Sequence, residues 1–310
     1  MSAHGTVRIG ISGWTYKGWR GVFYPEKLAH KRELTFAAET FPTVEINGTF
    51  YSLQRPSSYE KWAAETPERF VFAVKGSRYV THMRRLRNIR TPLANYFASG
   101  VLKLEEKLGP FLWQFPPNFQ FNPELLDEFL TMLPRDTEAA AELATEHDHR
   151  LKGRAFLEPS SKRRLRHAVE IRHPSFITPE FITLLRRHRV ALVCADTVEW
   201  PRLLDVTADF LYLRLHGSEQ VYASGYSGKA LDIWARRIGA WARGQEPRDS
   251  PISSPAVPEG EYASAARPPK RARRDVFVYF DNDAKVRAPF DAQALRKRVE
   301  KLLAGSGGGG

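Results

Sequence analysis

Eight short runs rich in β-formers punctuate the chain, and nearly every gap between them carries a helical apolar period. The runs are VRIGI (7–11), TVEIN (43–47), FVFAVK (70–75), FLWQF (111–115), AVEIR (168–172), VALVCAD (190–196), FLYLRLH (210–216) and VFVYFDND (276–283). Between them ELTFAAETF, SYEKWAAETP, PLANYFASGVLKLEEKLG, NPELLDEFLTML, TPEFITLLRRHR, ALDIWARRIGAWA and DAQALRKRVEKLLA space apolar residues three and four apart, as amphipathic helices do. Asn122-Pro123 and Thr178-Pro179 each set a capping side chain before a proline at the first helical position. Ser57 and Glu60 have the spacing of a capping box. The sixth connection, near WPRLLDV, is the weak member and reads as a short turn. Strands that alternate with helices pair in parallel, and eight such units predict a closed (β/α)8 TIM-like barrel. The rival is an open doubly wound sheet, but GISGWTY after the first run lacks the glycine-rich turn of a dinucleotide fold.

A single barrel domain is expected over residues 1–304, with inserted segments at 134–166 and 244–275. The second insert is rich in Pro, Ser and Ala with little to bury, which predicts disorder. Its SPISSP (250–255) suits proline-directed phosphorylation, and KRAR (270–273) resembles a nuclear-import signal. GSGGGG (305–310) predicts a flexible tail. A composition of 42% hydrophobic and 12% aromatic residues is enough for a large core. MSAHGT leads straight into the first β run, so no secretory signal is expected, and no apolar run reaches membrane-spanning length. The single cysteine, Cys194, excludes an internal disulfide and lies in an apolar run, where it reads as core. These features predict a cytoplasmic protein, or a nuclear one if the basic run at 270–274 is an address. The glycosylation sequon at Asn47 has no weight without a secretory route.

The polar residues of the runs share one phase and one end. Val169 and Ile171 alternate with Glu170 and Arg172, and Val44 and Ile46 with Glu45 and Asn47. Leu211, Leu213 and Leu215 alternate with Tyr212, Arg214 and His216. The third run ends in Lys75, the fourth carries Gln114, the sixth ends in Asp196, the eighth in Asp281 and Asp283, and the first gives way to Ser12. In a barrel one phase packs against helices and the other looks inward. Inward polar residues at carboxyl ends collect where barrel enzymes place their sites. The plainer reading is that some of these charges satisfy one another as buried ion pairs.

The motifs IGISGWTYKGWRGVFYP, VEINGTFYSLQRPSSYEKWAAETPERFVFAVKGSRYVTHMRRL, GPFLWQFPPNF, AVEIRHPSF, LYLRLHG and VFVYFDNDA together resemble the family known as domain of unknown function 72, or YecE-like. The resemblance runs in order from about residue 7 to about 303 and implies a TIM barrel without implying a reaction. The family's last strand usually reads Tyr-Phe-Asn-Asn-Asp, and Asp281 stands here at the first Asn position.

Such a ring suits an enzyme, a hydrolase or isomerase, acting on a small polar or anionic metabolite of sugar, sugar phosphate or nucleoside type. Glu170 and Glu45 are candidates for general acid or base, with His216 and Asp196 completing the catalytic set. Lys75, Arg172 and Arg214 suit a carboxylate or phosphate. Ser12, Asn47, His82, Gln114, Asp281, Asn282 and Asp283 offer hydrogen bonds, and Trp14, Tyr16 and Tyr51, with Trp19 and Phe50, an apolar wall. No cofactor is expected. A divalent metal would find ligand types in Glu45, Glu170, Asp196 and His216, although three cations in the same ring oppose it. Spacing does not single out a triad from Ser12 and His216. The net charge of +12 gathers partly in 78–90, with five Arg and no acid, in 150–166 and in 268–275. The alternative function is therefore nucleic-acid or nucleotide binding without catalysis, with 78–90 holding phosphates and loop aromatics stacking bases.

Overall fold

A computed structural model describes residues 4–217, 221–247, 263 and 267–305. In chain order the elements begin with β1 (Val7–Ser12), α1 (Glu33–Thr40), β2 (Thr43–Ile46), α2 (Gly48–Tyr51), α3 (Pro56–Ala64), β3 (Val71–Lys75), a π-helical turn (Tyr79–Met83) and α4 (Arg90–Ala98). There follow a 3-10 segment (Val101–Lys107), β4 (Leu108–Gln114), α5 (Pro123–Met132), α6 (Thr137–Ala144), β5 (His167–Glu170) and α7 (Pro179–His188). The chain ends with β6 (Ala191–Asp196), β7 (Phe210–Leu215), α8 (Gly228–Ala242), β8 (Asp275–Phe280) and α9 (Ala288–Ala304). The strands follow one another in sequence order as a closed parallel barrel, so the fold is a (β/α)8 TIM-like barrel with extra elements. The chain divides into two compact units, one of residues 30–176 and the other of residues 1–29 and 177–310.

In the unit of residues 30–176, β2 to β5 pair in register Glu45↔Ala73, Lys75↔Leu112 and Gln114↔Glu170. Paired residues of parallel strands point to the same side, so Glu45, Ala73, Lys75, Leu112, Gln114 and Glu170 share one face. The other face carries Val44, Val74, Phe111, Trp113 and Val169, and this face meets the helices. Tyr96 and Phe97 of α4 pack on Phe111 at 6.0 and 5.3 Å, and Phe129 of α5 on Trp113 at 5.5 Å. Each such buried aromatic contributes on the order of 1.5–3 kcal/mol. His167 is the polar exception on this face. It receives the Trp113 Nε1 hydrogen at Nδ1 (3.2 Å), and its Nε2 lies 2.7 Å from the Pro134 carbonyl. Burial, assisted by the charge of Arg135, pushes its pKa down to about 3 despite that carbonyl.

Two local expectations are corrected here. Ser57 does not cap α3, because Pro56 takes the first helical position and Arg55 becomes the N-cap. The long helix expected over PLANYFASGVLKLEEKLG breaks at Gly100, whose φ of +106° ends α4 and starts the 3-10 segment. A Cβ there would lie 2.5 Å from Pro56 Cα, so only glycine fits. The 134–166 insert holds α6, which Asp136 caps through the Ala139 N–H (2.9 Å) and which lies against α4. The caps expected at Asn122 and Thr178 do form, accepting from Leu125 and Phe181 N–H.

In the other unit, the register Ala195↔Arg214, Arg214↔Tyr279 and Gly10↔Tyr279 gives one face to Tyr212, Arg214, Phe277, Tyr279 and Arg8. Ile9, Leu213 and Val278 hold the opposite, apolar face. Between β6 and β7 the chain makes no helix and more than a short turn. Residues 197–209 form an irregular strap with Trp200, Leu203, Leu204 and Val206 buried. Thr207 pins it by accepting from Leu192 N–H and donating to the Val190 carbonyl, both at 2.7 Å. Of the 244–275 insert, Glu246 pairs with Arg274 at 3.0 Å and KRAR is exposed and irregular. SPISSP, with the remainder of 248–262 and 264–266, lies outside the described residues, as does 306–310. No helix among the described residues is long and apolar enough to cross a membrane.

Two outcomes are expected of this packing. An unfolded histidine takes a proton near pH 6.5 and folded His167 only near pH 3, so acidification through that window draws the chain toward the unfolded state. His167→Gln should flatten the loss of stability measured by denaturant titration between those pH values. Gly100→Ala should cost about 1–3 kcal/mol in the same titration at neutral pH.

Candidate functional site

Glu170 ends β5 with its carboxylate fully buried. Gln114 Nε2 and Arg172 Nε both donate to Oε1, at 2.8 and 3.0 Å. Arg172 lies two residues beyond Glu170 in the loop after β5, so the strand's alternation carries past its end. Lys75 closes β3, and its carbonyl is fixed by the hydroxyls of Thr49 (2.7 Å) and Tyr96 (3.3 Å). Its ammonium stands 4.5 Å from the Phe50 ring centroid, a cation–π contact. Glu45 is buried on the same face of β2.

The turn after β3 adds an imidazole. Residues Tyr79–Met83 are wound as a π-helix, a form frequent at functional sites, and this turn carries Thr81 and His82. Thr81 Oγ1 lies 2.9 Å from His82 Nδ1, and the ring packs edge to face with Phe50 at 5.0 Å. Partial burial, then the charges of Lys75 and Arg172, push the His82 pKa down to about 4, with Glu170 opposing and Arg78 adding a smaller effect. His82 is therefore neutral at pH 7. Arg78 lies 5.7 Å over the exposed ring of Tyr51. Glu170, Gln114 and Arg172 thus form one contact group and Lys75, Phe50, His82, Tyr51 and Arg78 another, and the charges of Glu170 and Arg172 act on His82. Asn47 stands at the start of α2 without capping it through its side chain.

The basic segment expected to hold phosphates splits. Arg85, Leu86 and Asn88 have left-handed φ of 51°, 65° and 51°. Arg85 is drawn onto the Asn118 carbonyl (2.7 Å) and side chain (3.2 Å), and Arg84 donates to the Arg87 carbonyl (3.2 Å). Arg90 forms an ion pair with Glu146. Those three arginines serve the protein's own groups.

In the unit of residues 1–29 and 177–310, Arg214 Nη2 donates to Asp281 Oδ2 (2.7 Å) and to Ser12 Oγ (3.2 Å). His216 Nδ1 approaches the same Asp281 oxygen at 3.0 Å, and its fully buried ring sits edge to face with Trp200 and Tyr222 at 5.3 and 5.5 Å. Burial and the Asp281 charge push the half-buried Asp283 carboxyl up to about 6. Trp200, Tyr222 and Arg202 had no sequence signal, since each lies in irregular chain without a period.

Two candidates are corrected. Asp196 does not belong to the inner polar layer. The register Ala195↔Arg214 puts it, with Cys194, on the face toward the helices. There Arg202 Nη1 donates to Oδ1 (2.8 Å) and Trp234 of α8 to Oδ2 (3.0 Å). Asn282 likewise turns away from Asp281 and Asp283, spending its amide hydrogens on the Ser224 carbonyl (3.0 Å) and Asp291 of α9 (2.8 Å). In the first loop Tyr16 packs against its neighbours. Tyr16 stacks on buried Trp19 at 4.6 Å and donates to the Ser12 carbonyl (2.6 Å), while the Trp14 carbonyl accepts from Tyr24 (2.7 Å). Among the described residues no group of three His, Cys, Asp or Glu is placed to hold a metal, so Glu45, Glu170, Asp196 and His216 do not form the anticipated ligand set.

Residues 8–249 match the family described as "Protein of unknown function DUF72", and the chain belongs to that family. It is 33% identical over 123 residues to the UPF0759 protein YunF of Bacillus subtilis (strain 168), a stretch covering 38% of this chain and 43% of YunF. A solved DUF72 family protein of Thermotoga maritima MSB8 superposes with a TM-score of 0.69 at 24% identity, covering 95% of this chain and 99% of that one. One from Enterococcus faecalis V583 gives 0.65 at 16% identity, covering 95% and 96%. At these identities both likenesses show the fold.

Asp196→Ala leaves the buried Arg202 guanidinium and Trp234 indole without this carboxylate. It should cost about 3–5 kcal/mol in a denaturant titration, as breaking a buried pair does.

Proposed function

We propose that this member of the DUF72 family is an enzyme acting on a small anionic metabolite by general acid–base chemistry. Lys75, Arg78 and Arg172 bind the anion, and Glu170 moves the proton. The observation that carries this reading is the solvent-free Glu170 carboxylate at the carboxyl end of a barrel strand, paired with Arg172 and acting, with Lys75, on a neutral imidazole. Barrel enzymes of many chemistries use that end of the strands.

The electrostatics support an anion. Three cations act on His82 and one carboxylate opposes them, which leaves positive potential where the imidazole sits. Arg172 brings a planar guanidinium, whose geometry suits a carboxylate or phosphate, and Lys75 a point charge on a strand end. Glu170 is restrained through Oε1 by Gln114 and Arg172, which orients the carboxylate. A base held in one orientation transfers a proton without reorganising at the moment of reaction. His82, neutral and beside the anion, supplies a second proton-exchanging group.

The test follows the His82 ring by NMR. A bound anion stabilises the imidazolium, so inorganic phosphate should raise the His82 pKa from about 4 by about one unit or more. Lys75→Met and Arg172→Met should each weaken phosphate binding about tenfold. Glu170→Gln should keep phosphate binding while abolishing conversion of phosphorylated metabolites screened by 31P NMR. Absence of any phosphate effect at millimolar concentration overturns the reading.

A further inference from the structure

We infer that the anion belongs to a nucleotide, its phosphate on Lys75, Arg78 and Arg172 and its base stacked on Tyr51. This rests on the proposed anion site and adds the identity of what the anion is attached to. Tyr51 closes α2, immediately beyond β2, with 67% of its surface exposed. Exposed aromatics scattered singly need no explanation. This one is not isolated. Phe50, buried beneath it, meets the Tyr51 ring at 90° with centroids 5.1 Å apart. The same Phe50 ring carries the Lys75 ammonium at 4.5 Å and the edge-to-face contact with His82 at 5.0 Å. One buried ring therefore joins the stacking surface to the charged cluster, and each flank lies about one ring's distance from it.

Arg78 borders both parts. Its guanidinium lies over the Tyr51 ring at 5.7 Å, and its charge acts on His82 alongside those of Lys75 and Arg172. A planar cation beside an open aromatic face is a platform for a π-system, and the nearby charges take the phosphate of the same molecule. A simple carboxylate or sugar phosphate would use the cations and leave the tyrosine idle. A ligand with a flat heterocycle joined to a phosphate through a ribose uses all of them.

The experiment measures binding of inorganic phosphate, ribose 5-phosphate, AMP, UMP and a 5′-phosphorylated tetranucleotide by calorimetry, with the full chain. AMP and UMP should bind at least about tenfold more tightly than ribose 5-phosphate, because the sequence-tolerant stacking energy is added. Tyr51→Ala should erase that advantage, and Tyr51→Phe, which keeps the ring, should restore it. A tetranucleotide equal to AMP identifies a free mononucleotide as sufficient, and a much tighter one identifies a phosphorylated nucleic-acid end; both uphold stacking on Tyr51. If ribose 5-phosphate and AMP bind equally, the nucleotide inference falls while the anion site stands. If none of the five binds, the anion site itself falls.

Discussion

In a parallel sheet, residues paired across neighbouring strands point to the same side, so one register decides the destination of every side chain on a strand. That constraint underlies both units. Where Gln114 pairs with Glu170, the polar groups share a face; one step along, Trp113 pairs with Val169 and takes the face that meets α5. The helices accept only apolar surface or polar groups already satisfied, and so the chemistry-bearing residues are left to the opposite face. A slip of one residue would send Glu170 into the Trp113–Phe129 packing and is excluded by the cost of burying a charge there.

Three buried carboxylates show how the same cost is met differently. Asp196 is saturated by an arginine and an indole and lies on the helix side, so it reads as a support that fixes the strap of residues 197–209 to β6 and α8. Asp281 shares one oxygen between Arg214 and the approach of His216. Glu170 shares one oxygen between an amide and a guanidinium, and its charge acts with that of Lys75 on His82. Burying an ion pair is poor evidence of stabilisation, because desolvation offsets most of the Coulombic gain. The role proposed for Glu170 rests on this difference, since perturbed buried groups of this kind cluster at functional sites.

Much of this was legible from residue order alone. The eight strands fall within a few residues of the β-rich runs, and the inner phase of Glu45, Lys75, Gln114, Glu170 and Arg214 follows from alternation. Asp196 misled because its polarity suggested the inner layer, whereas phase is set by the neighbouring strand's register. Asn282 misled for the same reason, since it stands out of step with Asp281 and Asp283. The π-helical turn around His82 carried no period at all, and its place beside Phe50 depends on contacts between segments about thirty residues apart.

Local order therefore determined the strand and helix alternation, the closed barrel and the polar identity of the strand ends, because periods of two and of three to four residues are properties of a segment by itself. Tertiary structure decided which polar groups keep company: that Asp196 is a support, that His82 is held neutral, and that Phe50 joins Tyr51 to Lys75. Those outcomes depend on burial and on charges brought together from distant segments, and no short stretch of chain contains them.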